Sequence, residues 1–271
     1  MSFMDDRVQL TLGLRRQSVE AESFDTATGE RTSRYDKSVT TGAVRPMPDL
    51  SIYGNYIEGL QRGSVAPNTA DNAGEIFPPF VSKQYEIGMK RDFGNFSATL
   101  AAYQITFPSA FTDPATNVFG INGEVRHRGL EFGAFGKVGE NVRLLGGLQW
   151  LDSVQTETLG GVNQGNKDWG AADVQANLGV EWDTPFLRGL TLTARGTYTS
   201  SQYADKANLQ KIPAWTSIDI GARYAMKAGS MPVVIRATIQ NAFDKSYWSQ
   251  GFSQLSVSTP RTLTLSATFD F

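Results

Sequence analysis

The last twelve residues of the chain, Pro260–Phe271, alternate between apolar and polar side chains and end on an aromatic residue. This period of two predicts a strand with two different faces. Soluble sheets and membrane sheets share the pattern, so the rest of the chain has to distinguish them. The apolar face consists of Leu263, Leu265, Ala267, Phe269 and Phe271, and the polar face consists of Thr262, Thr264, Ser266, Thr268 and Asp270.

The composition excludes several classes of protein. The mean hydropathy is -0.28, and no segment approaches the roughly 20 apolar residues of a spanning helix, so a helical membrane protein is excluded. The net charge of -2 argues against a nucleic-acid partner, because phosphates attract basic surfaces. The chain has no cysteine, and His127 is its only histidine, so we expect neither a multi-histidine metal site nor a resident cofactor.

Strand and turn signals divide the chain into about twelve segments of strand length. The predicted strands are Arg7–Arg16, Ser38–Met47, Leu50–Glu58, Ser82–Arg91, Phe96–Phe107, Glu124–Lys137, Val142–Asp152, Ala172–Asp183, Leu190–Gln202, Ala214–Met226, Pro232–Gln240 and Thr259–Phe271.

The connections between these strands alternate between tight turns and long loops. This segregation is typical of outer-membrane barrels, and a soluble sandwich has no need of it. The sequence therefore predicts an all-β fold, an antiparallel transmembrane β-barrel segment of about 12 strands with short periplasmic turns and long extracellular loops. The predicted loops are Gln17–Lys37, Gly59–Val81, Pro108–Gly123, Ser153–Ala171, Tyr203–Pro213 and Asn241–Ser258.

The two faces of the predicted strands support a barrel. Full charges such as Glu181 and Arg195 lie at mid-strand on the polar face, which in a barrel lines a watery or plugged lumen while the apolar face contacts lipid. A soluble sandwich with a solvated polar face is the alternative. Aromatic residues near strand ends are expected to form interfacial girdles. They are Trp150, Trp182, Tyr198, Tyr224 and Phe269.

Charged residues on the polar face predict a ladder of ion pairs across neighbouring strands. Attraction of an anionic ligand is the alternative role of the cations. The expected cations are Arg195, Arg223 and Arg236, and the expected anions are Glu86, Glu131, Glu181 and Asp219.

Five segments resemble, in order and spacing, the carboxyl-terminal barrel of TonB-dependent siderophore receptors. YGNYIEGL (Tyr53–Leu60), followed by a long loop, is also similar to this ferrichrome-type family rather than to its saccharide or cobalamin branches. The five segments are Ser82–Thr106, Arg126–Val138 with RGLEFG, Ile212–Tyr224, Ile239–Trp248 with NAFDKSYW, and the terminal PRTLTLSATFDF.

The resemblance implies an outer-membrane receptor of a Gram-negative bacterium that binds a ferric siderophore and imports it with energy from TonB. The family's barrel has about 22 strands around a plug, whereas residues 1–271 resemble only its carboxyl-terminal portion. TonB is therefore expected to act only through a plug domain that this chain lacks. The terminal strand with Phe269 and Phe271 resembles the signal for the outer-membrane barrel assembly machinery, so that machinery and membrane lipid are further expected partners.

The small number of strands raises the question of closure. An isolated half-barrel would leave two edges in lipid, where each unpaired backbone group costs several kcal/mol. Either the first and twelfth strands close a smaller barrel, or the chain is a fragment of a longer product. Met1–Asp6 read like mid-sequence, and residues 1–10 lack signal-peptide features, so we expect a fragment.

Aromatic residues of the long loops are the candidate contacts for the siderophore that the resemblance implies. Packing among the loops is the alternative role for each of them. The motif Asn241–Trp248 is expected to be structural, because its Asn and Asp favour turns. The candidates are Phe77 and Phe80 in the second loop, Phe111 and Phe119 in the third, Trp169 in the fourth, Tyr203 in the fifth, and Tyr247, Trp248 and Phe252 in the last.

Two other functions remain open at this point. A self-contained 12-stranded porin would require pairing between the first and twelfth strands. An outer-membrane hydrolase would require a serine within hydrogen-bond reach of His127 and an oxyanion site. No motif supports the hydrolase, so we expect no enzymatic activity, and His127 is expected to be a polar residue at a strand end.

Overall fold

A computed structural model of the protein describes residues 2–3, 8–17, 37–47, 49–61, 63–78, 80–251 and 254–270. The described chain is almost entirely antiparallel β-structure, with one 3-10 turn at Leu159–Gly161. Within those ranges, no helix combines the length and the apolar character needed to cross a bilayer. The predicted all-β class is confirmed.

Twelve long strands form the main sheet, and each corresponds to one of the predicted segments. They are numbered here from first to twelfth. Their bounds are Val8–Gln17, Lys37–Met47, Leu50–Gln61, Phe80–Asp92, Phe96–Thr112, Phe119–Val138, Val142–Glu157, Val174–Asp183, Leu190–Thr199, Trp215–Ala228, Met231–Gln240 and Thr262–Phe269.

The long strands pair antiparallel in chain order, and the two-residue strand Ser2–Phe3 pairs with the first of them. Among the described strands, the twelfth pairs with the eleventh alone. The pairing of the first long strand with the twelfth, on which the porin hypothesis depends, is therefore not seen in the described part of the chain.

Contacts within the chain define two compact units. One unit contains the second and third loops, and the other contains the fifth and sixth loops and every tight turn that follows the fourth strand. The first unit comprises Met1–Met89, Ala101–Gly129 and Asp152–Asp168, and the second comprises Lys90–Leu100, Leu130–Leu151 and Trp169–Phe271.

Strand register in the second unit places charged and apolar side chains on opposite faces. Thr193 lies opposite both Glu181 and Gly221, and Gly221 lies opposite Thr238 in turn, so these residues share the polar face. The other face is exposed, with Leu178 at 51 % and Leu265 at 68 % of their full accessible surface. An exposed apolar surface of this kind is typical of strands that contact lipid.

Four of the five predicted girdle residues are exposed, and Tyr224 is half-buried. Trp150, Trp182 and Tyr198 are exposed, and so is Phe269 on the twelfth strand. Trp182 also packs edge-on against Phe186 in the adjacent turn, with ring centroids 6.0 Å apart. Trp182, Tyr198 and Phe269 lie at or next to the ends of their strands, as an aromatic girdle requires, whereas Trp150 lies in the middle of the seventh strand.

The tight turns depend on glycines with positive φ, which other residues rarely adopt. Gly189 is the most constrained of them, with φ of 87°. A Cβ at this position would lie only 2.3 Å from the carbonyl oxygen of Ala225, whose own amide donates to the carbonyl of Gly189 at 2.9 Å. Backbone conformation and close approach therefore both require glycine here.

We expect Gly189→Ala to lower the free energy of unfolding by more than about 1 kcal/mol, because alanine is strained at this φ and meets a backbone oxygen. The matched control is Gly196→Ala, since a Cβ at Gly196 meets no atom within 4 Å. Urea unfolding in detergent micelles, followed by tryptophan fluorescence, measures both variants. Equal midpoints for the two would contradict the strain at Gly189.

Candidate functional site

The second long loop and the third connection are joined by hydrogen bonds from two asparagine side chains. The Asn72 Nδ2 donates to the carbonyl of Phe119 at 2.9 Å, and the amide of Phe119 donates to the Asn72 Oδ1 at 2.8 Å. The Asn117 Nδ2 donates to the carbonyl of Thr69 at 3.1 Å and to the Asp71 Oδ1 at 2.7 Å. Neither asparagine was identified from the sequence, because nothing in its local pattern distinguishes it from an ordinary loop residue.

Two of the predicted ligand aromatics meet at this junction. The rings of Phe77 and Phe119 pack edge to face, with centroids 5.4 Å apart and an angle of 69° between the planes. Both side chains are half-buried. The two rings therefore stabilise each other's position and still expose part of their aromatic surface.

Three of the candidates were predicted to lie in loops, but the structure places them in strands, so these predictions are wrong. Phe80 is the first residue of the fourth strand, Phe111 lies within the fifth, and Phe119 is the first residue of the sixth. The third loop was predicted from Pro108 because proline lacks an amide donor and often ends a strand. One missing donor does not stop the pairing here, so the strand continues through Pro108 to Thr112 and the connection shortens to residues 113–118.

The fourth loop is held against the sixth and seventh strands by two charged contacts. The Lys167 Nζ lies 3.0 Å from the Asp152 Oδ1. The His127 Nε2 lies 3.7 Å from the Asp168 Oδ2, and its ring packs edge-on against Phe107 with centroids 4.7 Å apart. Among the described residues the His127 Nε2 has no hydrogen-bond partner, so the serine that a hydrolase would require is not found at this atom.

Trp169 and Tyr203 lie near each other in the second unit, and both are half-buried. The amide of Gly170 donates to the carbonyl of Tyr203 at 2.8 Å. The fifth loop, predicted at Tyr203–Pro213, contains a small hairpin in which Gln202–Tyr203 pairs with Lys211–Ile212. Of the two candidates in this region, Tyr203 also carries the Lys211 Nζ above its ring at 5.8 Å.

Asp205 organises the tip of this hairpin. Its carboxylate accepts the backbone amides of Gln210 at 2.5 Å and Leu209 at 3.1 Å. The amide hydrogen bond from Gln210, followed by that from Leu209, lowers the pKa of Asp205 despite partial desolvation. The charged form of Asp205 therefore stabilises the folded hairpin.

The last loop is organised by the motif that was predicted to be structural, and this prediction is confirmed. Asn241 is only 5 % exposed. Its Nδ2 donates to the carbonyls of Lys245 and Thr259, both at 3.0 Å. Tyr247 stacks on Trp215 with centroids 4.1 Å apart, which favours a packing role for Tyr247.

The last loop contains a further aromatic candidate that is well exposed. Trp248 is 52 % exposed and begins the short strand Trp248–Gly251, which pairs with Gln254–Val257. Its ring is the most accessible of the candidates whose exposure is described. Phe252 and Phe271 lie outside the described residues.

The polar face of the second unit contains a cavity of about 840 Å³. Its lining combines charged groups with apolar residues, among them Phe135 and Leu145, which are 52 % and 67 % exposed. Charged residues in the lining include Arg143, Arg195, Glu181 and Asp219. The cavity can therefore accept a partner with both apolar and charged groups.

The centre of the ion pairing is Arg143, which the sequence analysis missed. Its guanidinium lies 2.6 Å from the Asp183 Oδ2 and 3.0 Å from the Glu181 Oε2. The Arg223 Nη2 lies 3.4 Å from the same Glu181 oxygen. This contact confirms one pair between a predicted cation and a predicted anion, but ion pairs centred on Arg143 replace the regular ladder.

The other predicted ladder members have different partners, so most of the ladder prediction is wrong. Asp219 lies opposite Arg195 in register, yet its Oδ1 accepts the amide of Asn241 at 2.9 Å. This bond at the strand end turns the carboxylate toward the backbone. The remaining contacts are Arg236 with Thr268 at 3.3 Å, Glu131 with Gln149 at 3.2 Å, and Glu86 with Gln84 at 2.9 Å.

We expect Arg143→Met to lower the free energy of unfolding by about 1 kcal/mol, because Asp183 and Glu181 lose their shared cation at a partly exposed site. The control is Arg195→Met, which removes a cation from the same face without an ion pair among the described residues and should change stability by less than about 0.5 kcal/mol. Urea midpoints at low and high salt compare the two. Equal losses of stability in the two variants would contradict a central role of Arg143 in the ion pairing.

Protonation of Asp205 should loosen the fifth-loop hairpin. Since its folded pKa is lowered, its stabilisation is present above the unfolded pKa of about 3.9 and is lost as the pH falls through the folded pKa. Deuterium uptake by residues 203–212, corrected for intrinsic exchange, should rise in that acidic range. In Asp205→Asn the uptake should already be raised at neutral pH and show no such step; a step that persists would contradict this role.

The profile of the family described as "TonB dependent receptor-like, beta-barrel" matches residues 1–242. The chain is 38% identical to the ferrichrome receptor FcuA of Yersinia enterocolitica, an alignment that covers 100% of this chain and 37% of the relative. It is 30% identical to the "Ferrichrome outer membrane transporter/phage receptor" of Escherichia coli (strain K12), over 98% of this chain and 36% of that protein.

A solved structure shows the same fold. BauA, the ferric preacinetobactin receptor from Acinetobacter baumannii, superposes with a TM-score of 0.81 at 43% identity, covering 100% of this chain and 41% of that structure. The chain thus spans less than half the length of these relatives. With its strands, its faces and nearly its whole length matched, the chain belongs to the TonB-dependent receptor-like β-barrel family.

Proposed function

We propose that this chain forms the carboxyl-terminal part of the barrel of an outer-membrane receptor that imports a ferric siderophore with energy from TonB. The observation that carries the proposal is the similarity of the whole chain to a ferrichrome receptor. The exposed apolar face supports contact with outer-membrane lipid. Phe269, 48 % exposed on that face, supports recognition of the terminal strand by the barrel assembly machinery.

The siderophore would be gripped by aromatic groups of the long loops. The accessible faces of Phe77, Phe119 and Trp248 support this role, whereas Tyr247 is already stacked on Trp215. Partly buried aromatic rings offer large rigid surfaces at low entropic cost. Ferric iron is cargo in this proposal, enclosed by its chelator, and TonB would act through a plug domain rather than through the described strands.

The charged cavity of the second unit supports a polar lumen lined by its strands. Its mixed lining of Phe135, Leu145 and Arg195 fits an amphipathic surface better than free diffusion of small polar solutes. No observation on the described strands favours the porin hypothesis over this proposal.

Uptake of radioactive iron tests the function in the bacterium that carries the gene. Deletion of the gene should reduce uptake of iron from at least one siderophore, with ferrichrome as the first probe, to background. Removal of TonB should have the same effect, because TonB supplies the energy. Plasmid-borne full-length product should restore uptake only when TonB is present.

Two outcomes would contradict the proposal. Unchanged uptake of every siderophore in the deletion strain would remove the transport function. Uptake that needs the gene but persists without TonB would instead indicate passive diffusion. Growth on ferric chloride at high concentration, which bypasses siderophore receptors, is the control for general fitness.

A further inference from the structure

We infer that Asn72 is a positioning residue for the siderophore: together with Asn117 it joins the second and third loops into one two-loop unit, defined by residues 63–78 and 113–119, that holds Phe119 against Phe77. The inference rests on the proposed function for its ligand. The joining of the two loops depends only on the hydrogen bonds and not on the identity of any ligand.

The side-chain amide of Asn72 pairs with Phe119 as a neighbouring strand would. It donates to the carbonyl of Phe119 at 2.9 Å and accepts from the amide of Phe119 at 2.8 Å. Residues of antiparallel strands exchange two hydrogen bonds in the same manner. A single side chain therefore provides both the donor and the acceptor that fix this peptide.

The orientation of this amide is determined by a third contact. The Nδ2 of Asn72 also donates to the Glu75 Oε2 at 2.6 Å. Both of its hydrogens and its oxygen then have partners. Aspartate, although similar in shape, would place one acceptor oxygen at the position of Nδ2, facing both the carbonyl of Phe119 and the carboxylate of Glu75, so only the amide fits.

Asn117 supplies a second, independent connection. Its backbone is left-handed, with φ of 52°, a conformation that asparagine tolerates better than most residues. Its Nδ2 reaches the carbonyl of Thr69 and the carboxylate of Asp71, and its carbonyl accepts the amide of Asp71 at 2.8 Å. The two loops are thus linked at neighbouring positions in both segments, Thr69–Asn72 on one side and Asn117–Phe119 on the other.

The second loop is itself compact enough to serve as a support. Ala66 and Ala70 are only 2 % and 6 % exposed. The amide of Ala66 donates to the carbonyl of Glu75 at 2.8 Å, and the amide of Phe77 donates to that of Ser64 at 3.0 Å. Fixing Phe119 to this support therefore also fixes its ring relative to that of Phe77.

The functional consequence is preorganisation. A ligand that binds a ring already held in place loses less conformational entropy than one that has to order a mobile loop. The two loops should also move together on binding rather than separately. Loss of Asn72 should therefore weaken binding through Phe119, without any contact between Asn72 and the ligand.

Hydrogen exchange tests the geometry independently of any ligand. In the full-length product of the gene, purified in detergent, Asn72→Ala should increase deuterium uptake in both 63–78 and 113–119. The matched control is Asn68→Ala, which removes an exposed asparagine of the same loop and should leave uptake unchanged. Unchanged uptake in Asn72→Ala would overturn the two-loop unit.

A double-mutant cycle tests the positioning role. With ferrichrome, or with the siderophore identified by the uptake experiment, Asn72→Ala and Phe119→Ala should each raise the Kd about tenfold, and the double variant should be no weaker than Phe119→Ala alone. Asn72→Asp should not restore binding, since it keeps the shape but loses the donor. Additive losses, or rescue by aspartate, would overturn the positioning role.

The two failures are distinguishable. If no siderophore binds the unaltered protein, the proposed function fails, while the exchange experiment still decides whether Asn72 joins the loops. If binding is normal but unaffected by Asn72→Ala, the function stands and the positioning role fails.

Discussion

Antiparallel backbone pairing is the interaction on which the rest of this structure depends. In lipid, every amide and carbonyl needs a partner within the protein, and neighbouring strands supply it. Strict pairing makes side chains alternate, so one face can be apolar and exposed while the other carries Glu181 and Arg223. The usual requirement for a hydrophobic interior is thereby relaxed. The buried apolar residues among those described are few and mostly small, such as Ala66 and Ala172.

Because the loops cannot rely on a large core, short polar side chains organise them. Asn72, Asp205 and Asn241 each bind at least two backbone groups. Those of Asn72 lie across the junction with the third connection, and those of Asp205 and Asn241 lie within or next to their own loops. Such bonds replace missing strand partners and leave aromatic rings free at the surface. The same device therefore shapes the second, fifth and last loops, although their sequences differ.

Much of the strand architecture was predictable, because apolar and polar side chains alternate along the sequence with a period of two. A pattern such as Leu263, Leu265 and Ala267 can satisfy lipid on one face only as a strand, and glycines such as Gly189 mark the tight turns. The extension of the fifth strand through Pro108 was not predictable, because one missing donor usually signals an end. Ion pairs were only partly predictable. Facing residues can be inferred from register, but side-chain direction cannot, as Asp219 shows by capping Asn241 instead of meeting Arg195.

The sequence by itself determined the all-β class, the twelve strands, the two faces and the resemblance to siderophore receptors, since these follow from local periodicity and from motifs in order. The tertiary structure decided which residues meet. It placed Asn72 beside Phe119, made Arg143 the centre of the ion pairs, and stacked Tyr247 on Trp215. These contacts join segments that are distant along the chain and depend on the directions in which individual side chains point, which no local pattern specifies.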